Sequence, residues 1–190
     1  MTIYGGIVCF SWFVFIVVWF AGAFGAKKNR RLAGGWRSGR GIAARFIIAL
    51  VVFVVAINQP ALFRKILRQP FSGAAPAAGA ALAVAGVAFA VWARFHLGRD
   101  WSSYPTLKED HRLVTSGPYR FVRHPIYTGM LLAISGSALA AGPFWLIVFA
   151  GALVVFIFRI RAEERLMLSQ FPDTYPAYQA RTEKLIPFVW

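Results

Sequence analysis

Apolar residues in this chain come in long runs, separated by short segments that hold nearly all of the charge. The first run covers residues 3 to 26 and ends at Lys27, Lys28, Arg30 and Arg31, with Gly34, Gly35, Arg37, Arg40 and Arg45 behind them. A second covers roughly 46 to 63 and stops at Arg64, Lys65, Arg68 and Pro70. The third, about 71 to 93, reads "FSGAAPAAGAALAVAGVAFAVWA" and is built almost wholly of small residues. A polar segment from Arg94 to His124 follows, and then an apolar run from Ile126 to Phe158 that is too long for one helix. Gly142-Pro143 in its middle reads as a turn, with Pro suited to the start of a second helix. Crossing a hydrocarbon core takes about 20 helical residues. The pattern therefore predicts an all-α, polytopic membrane protein of about five transmembrane helices, the last two folded as a tight hairpin. The tail, Arg159 to Trp190, is polar and opens with a helical stretch, "RIRAEERLML".

Composition agrees: the 190 residues are 58% hydrophobic and only 15% charged, and mean hydropathy is +0.58. The first run is too long for a signal-peptide core and has its basic residues after it, so a retained helix is expected. A single cysteine, Cys9, excludes an intrachain disulfide and a cysteine-rich metal site. The formal charge of +14 would suggest nucleic acid in a soluble domain, but here the location of the charge decides. With five spans, segments 27–45, 94–123 and 159–184 share one side and hold 18 of the 21 Lys and Arg residues. All seven acids lie there too. The positive-inside rule makes that side cytoplasmic, with the N-terminus outside and the C-terminus in the cytoplasm. Partners are then lipid or another hydrophobic molecule rather than nucleic acid. Size, composition and the lack of a retention signal point to a bacterial inner membrane. The third span, rich in small residues, is expected inside the bundle, where helices approach closely.

The chemistry-bearing residues sit at the two ends of the hairpin. Folding spans four and five together brings Arg123 and His124 towards Arg159, Glu163 and Glu164, and Glu163 follows Arg159 by one helical turn. Two readings fit this cluster. Arg and Tyr anchor helices at interfaces and Pro125 begins one; equally, ionisable groups at the hydrocarbon edge mark functional sites. A metal site on His111, His124 and a carboxylate matches no familiar ligand spacing. No glycine-rich phosphate loop is present.

Two stretches carry a resemblance. "HRLVTSGPYRFVRHPIYTG" (111–129) and "RAEERLMLSQFPDTYPAYQARTEKLIPF" (161–188), separated by a short hairpin, resemble the isoprenylcysteine carboxyl methyltransferase family, which takes in bacterial phospholipid methyltransferase-like proteins. The likeness spans roughly 94 to 190; one departure is Phe171-Pro172 where the family often has Phe-Gly. It implies one membrane domain over 1–190, with variable N-terminal helices in 1–70 and a methyltransferase core in 71–190. It further implies S-adenosylmethionine as cofactor, in a cytoplasmic pocket formed by His111, Arg112, Leu113, Val114, Tyr119, His124, Pro125, Ile126, Tyr127 and Glu163. Arg159 matches an arginine linked in the family to substrate binding near methyl transfer, and is the expected catalytic residue. The acceptor is then a lipid or isoprenyl carboxylate, ahead of a phospholipid amine or a small hydrophobic thiol, because an arginine repels an ammonium. Alternatives are a nicotinamide-dependent reductase of sterol-reductase-like architecture and a non-catalytic membrane scaffold.

Overall fold

A computed structural model describes residues 2–24, 29–32, 71–98, 106–108 and 113–187. Four of the five expected helices fall within it. They are α1 (Ile3–Phe24), α2 (Ala75–Leu97), α3 (Pro125–Ala141) and α4 (Phe144–Gln170), followed by a short α5 (Tyr175–Gln179). Span two, residues 46 to 63, lies outside the described residues. Among the described residues three helices are long and apolar enough to cross a membrane, and α3 is a shorter apolar helix of 17 residues. The helical, polytopic architecture expected from the hydropathy pattern is what the structure shows. It adds a small antiparallel ribbon, in which β1 (Asn29–Leu32) pairs with β2 (Thr106–Lys108). These strands come from two of the polar segments that the five-span topology puts on one side.

The bundle is organised around α2 against α3, its most extensive helix contact. No hydrophobic force separates protein from lipid tails in a bilayer, so close backbone approach has to supply the packing. Glycines at seven-residue spacing permit it. A Cβ added at Gly79 or Gly129 would lie 2.6 Å from the backbone nitrogen of Ala140 or Ala90, and one at Gly86 or Gly136 would collide with Ala133 or Ala83. The third apolar run is thus interior, as its composition predicted. α1 packs along the seam of α2 and α3, with Val8 against Ala80, Ala83 and Ala140 and Phe15 against Val87, Ala90 and Ala133. Trp12 joins α1 to α3 by an indole N–H donated to Ser137 Oγ at 3.0 Å. Phe10, Phe13, Phe20, Leu146 and Phe158 point outward and are exposed, as a lipid-facing surface requires.

Gly142, with φ of 113°, turns the chain between α3 and α4, and its N–H caps Ala138 O. The left-handed conformation explains the glycine. α4 runs 27 residues, about 40 Å at 1.5 Å per residue. That length carries it past the apolar stretch, so Arg159, Glu163 and Glu164 belong to the same rigid rod that crosses the membrane.

Candidate active site

Five polar side chains meet where α3 begins and α4 ends its apolar part. On α4, Phe156, Ile160, Glu163 and Glu164 follow helical spacing, which puts two apolar and two acidic groups along one face. Tyr127, on the first turn of α3, packs on Phe156 with ring centroids 4.6 Å apart. Its hydroxyl donates to Glu163 Oε1 at 2.5 Å. His124 stacks behind it, 5.8 Å away and 18° from parallel. The imidazole stands between both acids: Nδ1 is 3.5 Å from Glu163 Oε2 and Nε2 3.5 Å from Glu164 Oε1. Arg159 completes the group, with Nη2 3.8 Å from Glu163 Oε1 and its guanidinium carbon 5.6 Å from the Tyr127 ring centre.

The electrostatics follow from this packing. Burial alone would push the His124 imidazolium down, but the Glu163 and Glu164 carboxylates outweigh it and hold the pKa above the ordinary histidine value. The imidazolium is thus flanked by a carboxylate on each nitrogen, at ion-pair distance. Burial, with Glu163 adding to it, keeps the Tyr119 phenol protonated far above its usual range. Glu163 retains some solvent contact, with 26% of its side chain exposed, whereas Glu164 has 11%. The Glu163 face is therefore the one a ligand can reach.

The C-terminal tail forms the back wall. Arg123 donates from Nε to Glu164 Oε1 at 2.9 Å and from Nη1 to the carbonyls of Gln179, at 3.1 Å, and Thr182. Its own backbone N–H reaches Glu183 O at 2.7 Å, and that of His124 reaches Lys184 O at 3.0 Å. Thr128 Oγ1 donates to Leu185 O at 2.7 Å, and Leu185, 2% exposed, packs on Tyr127, Phe156 and Ile160. Tyr178 on α5 donates to Tyr119 O at 2.6 Å, fixing the single 3-10 turn Gly117–Arg120. The tail is thereby stitched across the start of α3.

Of the residues singled out in the sequence, His124, Tyr127, Arg159 and Glu163 converge, with Pro125 and Ile126 in the same turn of α3. Tyr119 lies one wall away, close enough for Glu163 to act on its phenol. Leu113 and Val114 are half-buried in the irregular segment leading to it; His111 and Arg112 lie outside the described residues. The hairpin cluster read from the sequence held Arg123 and Glu164, but the pocket implied by the resemblance omitted both, and Arg94, His96, Tyr178 and Leu185 were passed over. Arg123 had a signal, since it adjoins His124, but its main partners are backbone carbonyls, which leave no mark in a sequence.

Comparison with known proteins falls on these same elements. Residues 79–169 match the model of the isoprenylcysteine carboxyl methyltransferase (ICMT) family. The chain is 36% identical over 84 residues to a protein-S-isoprenylcysteine O-methyltransferase of Schizosaccharomyces pombe, covering 43% of this chain and 35% of that protein. It is 35% identical over 97 residues to the cobalt-zinc-cadmium resistance protein CzcN of Cupriavidus metallidurans (48% and 43% covered). It is also 39% identical over 72 residues to methanethiol S-methyltransferase 1 of Bradyrhizobium diazoefficiens (37% and 24%). The chain thus spans less than half the length of these relatives. Over residues 79–169, from α2 through the hairpin to the acidic face of α4, the resemblance read in the sequence is a match to the isoprenylcysteine carboxyl methyltransferase family.

Proposed function

We propose that this protein is an integral-membrane methyltransferase that takes S-adenosylmethionine at the Tyr119–Glu163 site and methylates a carboxylate on a membrane-embedded acceptor, a lipid or isoprenyl group. One observation carries the reading: both acids of the site are already held by cations, Glu163 by His124 and Arg159 and Glu164 by Arg123 and His124. Neither is placed to serve as a general base. An acceptor that arrives as an anion needs none, whereas a protonated amine must first lose a proton.

The donor set fits the cofactor. The reachable Glu163 oxygens suit an ammonium or a ribose diol, His124 and Arg159 suit anionic groups, and the Tyr119 and Tyr127 rings supply flat walls. When bound, the cofactor supplies a methyl group on a positive sulfur. The acceptor oxygen forms a bond to that carbon as the carbon–sulfur bond breaks; the electron pair goes to sulfur, and an ester and a neutral thioether result with no proton moved. Residues of the chain have only to orient the two reactants and exclude water. Arg159, on the rim beside Tyr127, holds the carboxylate head of the acceptor while its apolar body stays in the bilayer. A thiolate satisfies the same logic, in keeping with the similarity to methanethiol S-methyltransferase 1 of Bradyrhizobium. We place the protein in a bacterial inner membrane with this site on the cytoplasmic side.

Calorimetry on detergent-purified protein tests the donor: S-adenosylhomocysteine binds, NADPH neither binds nor competes, and Glu163→Gln abolishes binding without loss of monodispersity. Heat with NADPH and none with S-adenosylhomocysteine would favour the reductase alternative. Incubating extracted native lipids with methyl-labelled cofactor tests the acceptor. A carboxylate gives an ester whose label is released by mild alkali; an alkali-stable product refutes the carboxylate.

A further inference from the structure

The face of α2 that packs on α3 ends in charge. Gly79, Ala83, Gly86 and Ala90 meet Ala140, Gly136, Ala133 and Gly129 in antiparallel register. One turn on, that register sets Arg94 opposite Pro125, beside His124. An arginine at the edge of the hydrocarbon ordinarily snorkels to water, yet Arg94 is only 5% exposed, with Nη1 donating to Gly98 O at 2.8 Å. Two residues later His96 pairs through Nε2 with Ser116 Oγ at 2.9 Å and lies over Tyr119, ring centroids 6.4 Å apart. The His96 ring fills the space beside Gly117, passing 2.6–2.8 Å from where a Cβ would stand, at a φ of +57°. The last turn of α2 and the turn carrying Tyr119 are thus one unit. Glu163 and Arg94 both act on the Tyr119 phenol, with opposite sign. The register therefore adds a guanidinium from α2, at the His124 end of the site, to the acid from α4.

Such a pocket matches a zwitterion whose ammonium and carboxylate share one carbon. Resting on the methyl-donor reading above, we propose that Arg94 is a binding residue for the amino-acid carboxylate of the donor, facing Glu163 across the pocket. No residue of α2 was expected in the site. A guanidinium–carboxylate pair is charge-assisted and directional, and its loss is expected to weaken binding by about 10- to 100-fold.

The test compares ligands on the full chain in detergent by calorimetry. S-adenosylhomocysteine has the amino-acid end, and 5′-methylthioadenosine keeps the nucleoside and thioether without it. Arg94→Gln should weaken S-adenosylhomocysteine by about 10- to 100-fold and leave 5′-methylthioadenosine within about twofold, with Arg94→Lys between. Unchanged S-adenosylhomocysteine affinity, or equal loss for both ligands, overturns the proposal. Should Arg94→Gln fail to fold, the unaltered protein and Arg94→Lys carry the test with the carboxamide of S-adenosylhomocysteine. The unaltered protein should bind this amide about 10- to 100-fold more weakly than the acid, with a smaller difference in Arg94→Lys. Equal affinity for acid and amide, or an undiminished difference in Arg94→Lys, overturns it. If the unaltered protein binds 5′-methylthioadenosine and not S-adenosylhomocysteine, the carboxylate assignment alone fails; if it binds neither, the methyl-donor reading falls as well.

Discussion

Arg123→Met should release the C-terminal tail while leaving the membrane helices folded. The Arg123 side chain is 7% exposed and makes three bonds at once, to Glu164 Oε1 and to the carbonyls of Gln179 and Thr182. Methionine keeps most of the stem volume, so the loss is electrostatic. Removing one partner of a buried ion pair costs about 3–5 kcal/mol, mainly because the other charge is left uncompensated. His124, 3.5 Å from the same Glu164 oxygen, offsets part of that. Two orphaned carbonyls add about 1–3 kcal/mol each where they stay buried; a freed tail solvates them instead. The expected net cost is about 3–4 kcal/mol, lodged in residues 175–187. Limited proteolysis at Arg181 and Lys184 in detergent should accelerate roughly a hundredfold or more, while circular dichroism reports unchanged helix content. Glu164→Gln in the same chain removes the stranded charge, so the double variant should recover at least about 1 kcal/mol relative to the sum of the single losses. Additive losses, or a tail no more cleavable than in the unaltered protein, would refute the assignment of Arg123 as the tie.

Gly136→Val should be strongly destabilising, because its Cβ would strike the backbone of α2 at Ala83, whereas Gly151→Ala, with nothing within 4 Å, should be silent. Overpacking of this kind costs about 1–3 kcal/mol; thermal unfolding of purified protein should separate the two, and equal melting points would sink the tight α2–α3 contact. The folded His124 pKa lies above its unfolded value of about 6.5. Its charge therefore contributes stability that is fully present below that value and is lost as pH rises through the folded pKa. Melting temperature should fall as pH rises above about 6.5, and His124→Gln should flatten the slope; an equally steep slope in the variant counts against the paired imidazolium.

Hydropathy made most of the fold legible. The runs around 3–26, 71–93 and 126–158 are α1, α2 and the α3–α4 hairpin, because only helices satisfy their backbone polar groups in lipid. The hairpin turn was readable too, since Gly142-Pro143 suits no continuous helix. Closure of that hairpin then forces His124 towards Glu163, which is why half of the site emerged from spacing alone. The β1–β2 ribbon was not legible: "NRRL" and "TLK" are too short and too polar to show a strand period, and their pairing is tertiary.

What stayed hidden shares one physical cause. A cation near the end of an apolar run reads as an anchor, since snorkelling to the headgroups is what most such residues do. Arg94 and Arg159 look alike on that criterion, yet Arg94 is only 5% exposed to solvent and Arg159 keeps 22% of its side chain exposed. The difference lies in whether a neighbouring segment covers the charge. Arg94 turns back to the Gly98 carbonyl at the end of its own helix; Arg123 is covered by tail carbonyls more than fifty residues away. Backbone acceptors have no residue signature, so neither cover is visible in the sequence. The two cations nevertheless divide the labour of the site: Arg123 is consumed in holding the wall together, and Arg159 stands on the open rim. A substitution that only neutralises charge should therefore separate them, costing stability at Arg123 and acceptor handling at Arg159.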